Sequence, residues 1–169
     1  GKTRLSRMVG LHLVGQAIPP PGGVWFVDLS EAIDADGLVQ AIAQVLGVPL
    51  KGCDTEESAL NHLSMAIRTR GDCWLLLDNF EQLVDVAANA VAALHSTAPE
   101  ARLLITSREA LGLDGEQLIT LDTLDSEHAI GLFQDRALRA KPGLVWNVND
   151  RQMIERIVKE LDNLPLAIE

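Results

Sequence analysis

Positive charge is in short supply in this sequence. Across 169 residues, 14 Lys and Arg stand against 24 Asp and Glu, a formal charge of -10. A nucleic-acid binder neutralises backbone phosphates with a basic surface, so direct DNA or RNA contact by this segment is not expected. Cysteine is nearly missing. Cys53 and Cys73 form no Cys-x-x-Cys pair, and His12, His62, His95 and His128 are scattered over separate predicted helices. That spacing argues against a structural zinc site, a disulfide framework and a histidine-based nucleophilic triad. It suits a reducing, cytoplasmic setting. No apolar run approaches the roughly 20 residues that span a bilayer, and no signal-peptide pattern opens the chain, so no membrane partner is expected. Internal repeats and low-complexity segments are also lacking.

Short apolar runs are present: Val24 to Val27, Cys73 to Leu77, Arg102 to Ile105 and Leu118 to Leu121. None alternates with polar residues, which fits strands of a parallel sheet buried on both faces. Helical spacing fills the intervals. Arg4 to Val14 carries Leu5, Met8, Val9 and Leu13; Leu38, Ile42, Val45 and Leu46 form a stripe ending at Gly47. Leu60, Leu63 and Ile67 follow Thr55 as a cap, and Leu83, Ala87, Val91 and Leu94 run to a stop near Pro99. Two further helices carry Ala129, Ile130, Phe133 and Ala137, capped by Asp125 or Ser126, and Ile154, Ile157, Val158 and Leu161, started at Asp150. Strand and helix alternate to about residue 121 and only helices follow. The expectation is an α/β fold with a mainly parallel sheet at 1–122 and a small helical part at 123–169.

Four sets of residues point to chemistry. Gly1-Lys2-Thr3 is the end of a G-x-x-x-x-G-K-[ST] phosphate loop if the preceding residues are supplied, and it stands at a helix N-terminus, where free N–H groups attract phosphate. Lys2 would meet the β- and γ-phosphates and the Thr3 hydroxyl would bind Mg²⁺; the bland reading is a turn with a solvated lysine. Trp74-Leu75-Leu76-Leu77-Asp78 is an apolar strand ending in a carboxylate, which suits a Walker B acid at Asp78, or alternatively an N-cap for the next helix. Arg108, after the third strand, lies at the edge where such sheets bind ligands and suits a γ-phosphate sensor, or alternatively a surface pair with Glu109. Pro165 in Leu161-Asp162-Asn163-Leu164-Pro165-Leu166 can start a helix. Asp28 follows a strand and is read only as a turn cap.

Taken together, Gly1-Lys2-Thr3-Arg4-Leu5, Val24-Trp25-Phe26-Val27-Asp28-Leu29, Leu75-Leu76-Leu77-Asp78-Asn79, Thr106-Ser107-Arg108-Glu109-Ala110-Leu111 and Asp162-Asn163-Leu164-Pro165-Leu166-Ala167-Ile168-Glu169 closely resemble the STAND class of P-loop ATPases. Within that class they look most like the NB-ARC-type domain of large bacterial transcriptional regulators. The resemblance implies a three-layer P-loop NTPase core, lacking here its first strand and half of its phosphate loop, followed by a helical subdomain cut at its C-terminus. It implies an ATP/ADP switch that uses Mg²⁺, with slow hydrolysis controlling conformation, contacts with other domains of the same polypeptide, and self-oligomerisation when ATP is bound. By the same resemblance Gly1, Lys2 and Thr3 hold phosphate, Thr3 and Asp78 hold Mg²⁺, Arg108 senses the γ-phosphate and Pro165 touches adenine. Three departures stand out. Without the first strand and the upstream half of the phosphate loop, this segment by itself is expected to hold nucleotide poorly. Asn163 replaces the glycine of the Gly-Leu-Pro-Leu pattern, with Asn able to take the left-handed conformation. Asn79 follows Asp78 where fast P-loop ATPases carry a second acid, and Asn is a poor proton acceptor, with Glu81 the nearest substitute for orienting water. A rapid-turnover P-loop enzyme and a degenerate interaction module are the competing expectations.

Overall fold

The computed structural model describes residues 1–169, Val148 by its backbone alone. Its elements are α1 (Lys2–Val14), β1 (Val24–Asp28), α2 (Ala35–Leu46), α3 (Glu56–Arg68), β2 (Trp74–Asp78), a 3-10 turn (Phe80–Gln82), α4 (Val84–Thr97), β3 (Arg102–Ile105), α5 (Ser126–Ala140), α6 (Val148–Glu160) and α7 (Pro165–Ile168). The strands form one parallel sheet in the order β1-β2-β3, with Val24 opposite Trp74 and Trp74 opposite Arg102. The fold is α/β.

Helix boundaries follow local chemistry. The Asp34 carboxylate accepts from Gly37 N–H at 2.8 Å to open α2, and Gly47 closes it at φ 66°, a left-handed position that costs glycine nothing. Thr55 caps α3 by accepting from Ser58 N–H at 3.1 Å. The start of α6 differs from the expectation. Asn147, not Asp150, is the cap, and Asp150 reaches back to the Asn147 N–H, a reciprocal pair that satisfies two end donors at once.

Odd and even strand positions face different layers. Val27, Leu75 and Leu77 are buried in the main core with Leu38 and Ile42 of α2, Leu63 and Ile67 of α3, and Ala87, Val91 and Leu94 of α4. The even positions face α1: a Cβ on Gly10 would lie 2.7 Å from Leu76 Cδ1 and 3.7 Å from Val24 Cγ1, and the Arg7 guanidinium lies 4.7 Å from the Phe26 ring centre. Helices therefore cover both faces of the sheet, as buried parallel strands require. The sheet-facing stripe of α1 is made of Ser6 and Gly10, both buried, with Thr3 and Leu13 partly so. Leu5 and Met8, expected on that stripe, are exposed instead, because only small residues let the helix approach the sheet this closely.

The fourth expected strand is not formed. Residues 118–121 are irregular, with Leu118 68% and Ile119 76% exposed. A strand exists only as one side of a ladder, and none of the described residues pairs with this run. It also straddles the boundary between two compact units, Lys2–Leu118 and Ile119–Glu169 with Gly1. The second unit has its own small core of Ala129, Ile130, Ile154, Val158 and Ile168, and an Arg136–Glu169 ion pair.

One glycine in the first unit is there for space. Gly22 donates its N–H to Asp72 O at 2.9 Å, and a Cβ there would sit 2.5 Å from the Arg70 carbonyl oxygen and 2.7 Å from Cys73 Cβ. Backbone cannot yield as a side chain can. Gly22→Ala is expected to cost about 2 kcal/mol or more, within the ~1–3 kcal/mol typical of overpacking, measured as a fall in the urea midpoint at unchanged slope.

Candidate functional site at the carboxyl edge of the sheet

Three polar side chains line up across the three strands. Asp28 ends β1, Asp78 ends β2 and is its register partner, and Thr106 follows β3 with its N–H still bonded to Leu77 O at 2.9 Å. All are even positions, so the row lies on the α1 side of the sheet.

Asp78 is 1% exposed. Its Oδ1 accepts from the Thr106 hydroxyl at 2.6 Å, and that hydroxyl in turn accepts from Asn79 N–H at 3.2 Å, which fixes the direction of its proton. Asp78 Oδ2 is buried and has no hydrogen-bond partner among the described residues. Nearly all buried polar atoms are paired, and an orphaned carboxylate oxygen carries a large desolvation cost. The N-cap alternative for Asp78 is not what the structure shows: neither Asp78 nor Asn79 caps the following turn through its side chain.

The course of α1 brings its N-terminus to the same edge. It runs against the strand direction, with Gly10 over Leu76 and Val24, and Arg7 over Phe26. Leu76 to Asp78 advances ~6.6 Å along a strand, and Gly10 to Ser6 advances ~6 Å along a helix. From Gly10 back to Thr3 the helix therefore advances toward the carboxyl edge of the sheet, with Ser6 buried and Thr3 partly so. Lys2 and Gly1 are exposed beside it. The first N–H groups of α1 lack intrahelical acceptors.

Arg108 is at this edge as well, but differently engaged than expected. Its side chain is 78% exposed and its Nε lies 3.4 Å from Glu81 Oε1. Glu81, not Glu109, is its partner because the 3-10 turn after β2 lies next to the loop after β3, joined by Phe80 N–H to Thr106 O at 2.9 Å.

Pro165 occupies the first position of α7 in the helical unit, where its missing N–H costs little. Asn163 before it has φ 52°, and Asp162 has φ 53°. The left-handed turn that a glycine would supply is thus made by two residues that tolerate it.

Several residues of the edge are not evident from sequence. Asp28 is more than a turn cap: its Oδ1 accepts from Ser30 N–H and from Asn79 Nδ2, each at 3.0 Å. The Ser30 backbone bond first, and the Asn79 side chain second, hold the Asp28 carboxyl below the ordinary aspartate range. Gln82 Nε2 lies 3.0, 3.0 and 2.8 Å from the carbonyl oxygens of Leu29, Ser30 and Ala32. The signal that could have found Thr106 is its place one residue beyond a buried strand, the same rule that found Asp78.

Among the described residues, no group of three or more His, Cys, Asp or Glu is arranged to hold a metal by itself, and no helix is long and apolar enough to cross a membrane. A cation at this edge would need ligands beyond side-chain carboxylates and imidazoles, such as a hydroxyl, water or phosphate.

No family model matches the chain. It is 32% identical over 170 residues to proteins of Mycobacterium bovis and Mycobacterium tuberculosis that carry the name of an HTH-type transcriptional regulator, covering 100% of this chain and 18% of theirs. It is 31% identical over 174 residues to an uncharacterised protein of Mycobacterium tuberculosis, covering 42% of that protein. A more distant match is the flagellar outer-arm dynein beta chain of Chlamydomonas reinhardtii, 25% identical over an alignment of 156 positions that covers 84% of this chain and 3% of the dynein. The chain thus spans about a fifth of the regulators it matches, over its own full length.

Proposed function

We propose that this chain binds ATP and ADP with Mg²⁺ at the carboxyl edge of its sheet, as the nucleotide-switch part of a larger regulatory ATPase of the STAND class with an NB-ARC-type P-loop core. The observation that carries the reading is Asp78: a carboxylate buried to 1% exposure, with one oxygen held by Thr106 and the other unpartnered, at the edge where α1 begins. A hard divalent cation that takes oxygen ligands and keeps part of its water and phosphate shell suits that oxygen together with the Thr3 hydroxyl. Mg²⁺ bound there would neutralise charge on the phosphates. Lys2 supplies a point charge to the terminal phosphates, and the backbone N–H groups of Lys2 and Thr3 at the start of α1 point toward them. Arg108, 78% exposed and paired with Glu81 across 3.4 Å, has room to turn toward a γ-phosphate.

Asn79, following Asp78, accepts no proton usefully, so hydrolysis is slow and the nucleotide state itself is the output. The transcriptional-regulator name of the mycobacterial relatives fits such a switch, with the output domain elsewhere in the polypeptide. A P-loop ATPase with rapid turnover, built on the same Asp78 carboxylate, is the second reading. Turnover above about 1 per second, near the range of ordinary enzymes, favours it.

The test is a titration of Mg-ADP and Mg-ATP into the full-length protein, as wild type and as Lys2→Ala. Charge-assisted hydrogen bonds contribute ~1.5–3 kcal/mol, so Lys2→Ala is expected to weaken binding at least ~10-fold. Equal affinities for the two proteins would remove the reading.

A further inference from the structure

Asn79 is not idle. Its φ of 65° is left-handed, and its amide nitrogen lies 3.0 Å from Asp28 Oδ1 on the neighbouring strand. An ionised carboxylate only accepts hydrogen bonds, so the NH₂ end of Asn79 must face Asp28 and its carbonyl oxygen must face away. The Ser30 N–H fixes the same Asp28 oxygen at 3.0 Å, so the carboxylate is itself anchored by backbone. On the far side of buried Phe80, Gln82 ties the 3-10 turn to the carbonyls of Leu29, Ser30 and Ala32. The segments 28–32 and 79–82 are cross-linked at both ends.

We infer that Asp28 is a positioning residue for ATP hydrolysis, holding the Asn79 amide so that its oxygen orients the attacking water. The inference rests on the nucleotide reading above. In the step, the water oxygen bonds to the γ-phosphorus while the bond from that phosphorus to the β–γ bridging oxygen breaks, its electron pair staying on ADP. One water proton passes to a γ-phosphoryl oxygen and the other stays on the attacking oxygen, so ATP and water leave as ADP and dihydrogen phosphate. Asn79 accepts a hydrogen bond from the water and no proton. A loose phosphoryl-transfer transition state asks mainly for such positioning, and the lack of a base keeps the rate low. The second acid of a faster site is thus present in this protein, displaced by one strand and acting through an amide.

The experiment is single-turnover hydrolysis of Mg-ATP, with ADP affinity and thermal melting measured alongside, on the full-length protein. The variants are Asp28→Asn and the exchange Asp28→Asn with Asn79→Asp, since Asp also tolerates the left-handed position. Asp28→Asn removes the charge that fixes the amide and is expected to slow hydrolysis at least ~10-fold, toward the ~100-fold that a ~1 Å misplacement can cost, with ADP affinity within about 2-fold of wild type. The exchange restores a carboxylate–amide bond of reversed polarity, and the rate is expected to return to within about 3-fold of wild type or above it. Unchanged turnover in Asp28→Asn, loss of ADP affinity in step with turnover, or no recovery in the exchanged protein overturns the inference. If wild-type protein binds no ADP through Lys2, the nucleotide reading falls first and takes the inference with it. Intact Lys2-dependent binding with an unaffected Asp28→Asn rate sinks the inference alone.

Discussion

Phe80→Ala is expected to lower the unfolding free energy of the α/β unit by ~3–5 kcal/mol, the range for truncating a fully buried phenylalanine. Phe80 is 0% exposed and sits in the main core with Leu29, Leu77 and Leu83. It lies in a one-turn 3-10 segment, and its own N–H bonds the Thr106 carbonyl at 2.9 Å. The ring therefore anchors the loop that carries Asn79 and Glu81. A marginal stability of ~5–15 kcal/mol is usual for a domain, so this single change removes a large share of it. Urea unfolding followed by tryptophan fluorescence reads the effect through Trp25 and Trp74. A loss under about 1 kcal/mol would mean that the loop is not anchored by this ring.

Asp78→Asn is expected to have two effects of opposite sign. With nucleotide and Mg²⁺, turnover and Mg²⁺-dependent affinity fall ~100-fold or more, because a metal-directed carboxylate supplies several kcal/mol of charge stabilisation. Without nucleotide, the melting temperature rises by several degrees, about 1 kcal/mol. Replacing an orphaned buried charge by a neutral isostere removes a desolvation cost while keeping the oxygen that Thr106 bonds. That opposition marks a site whose geometry is kept for a ligand rather than for the fold. Were Asp78 no more than the acceptor for Thr106, the variant would lose stability and leave Mg-nucleotide affinity unchanged.

Much of the fold was legible because its signals are local. Continuous apolar runs marked the three strands that form, Thr55 and Gly47 marked helix ends through their own backbone and side-chain chemistry, and Pro165 marked the start of α7. The fourth run, Leu118 to Leu121, has the same apolar character as the others and is irregular. Strand formation is a property of a pair, and composition of one run says nothing of its partner. The stripe on α1 misled for a related reason. Leu5 and Met8 read as the buried face, while Ser6 and Gly10 are the buried residues of the helix, since a short helix-to-sheet distance selects small side chains over apolar ones.

At the candidate site, residue types and order were legible in sequence: a lysine and a threonine opening one helix, an aspartate closing a buried strand, an arginine after the next. The sequence by itself determined these, together with the acidic surface and the alternation of strand and helix, because each depends on neighbours a few positions away. Only tertiary structure decided that Asp28, Asp78 and Thr106 share a face, that Asp78 keeps one oxygen unpartnered, that Glu81 rather than Glu109 meets Arg108, and that Asn79 leans on Asp28. Those contacts span 27 to 51 residues of chain. They exist because parallel pairing sets the strands in register at their carboxyl ends, and register is fixed by the packing of whole layers rather than by any single stretch of sequence.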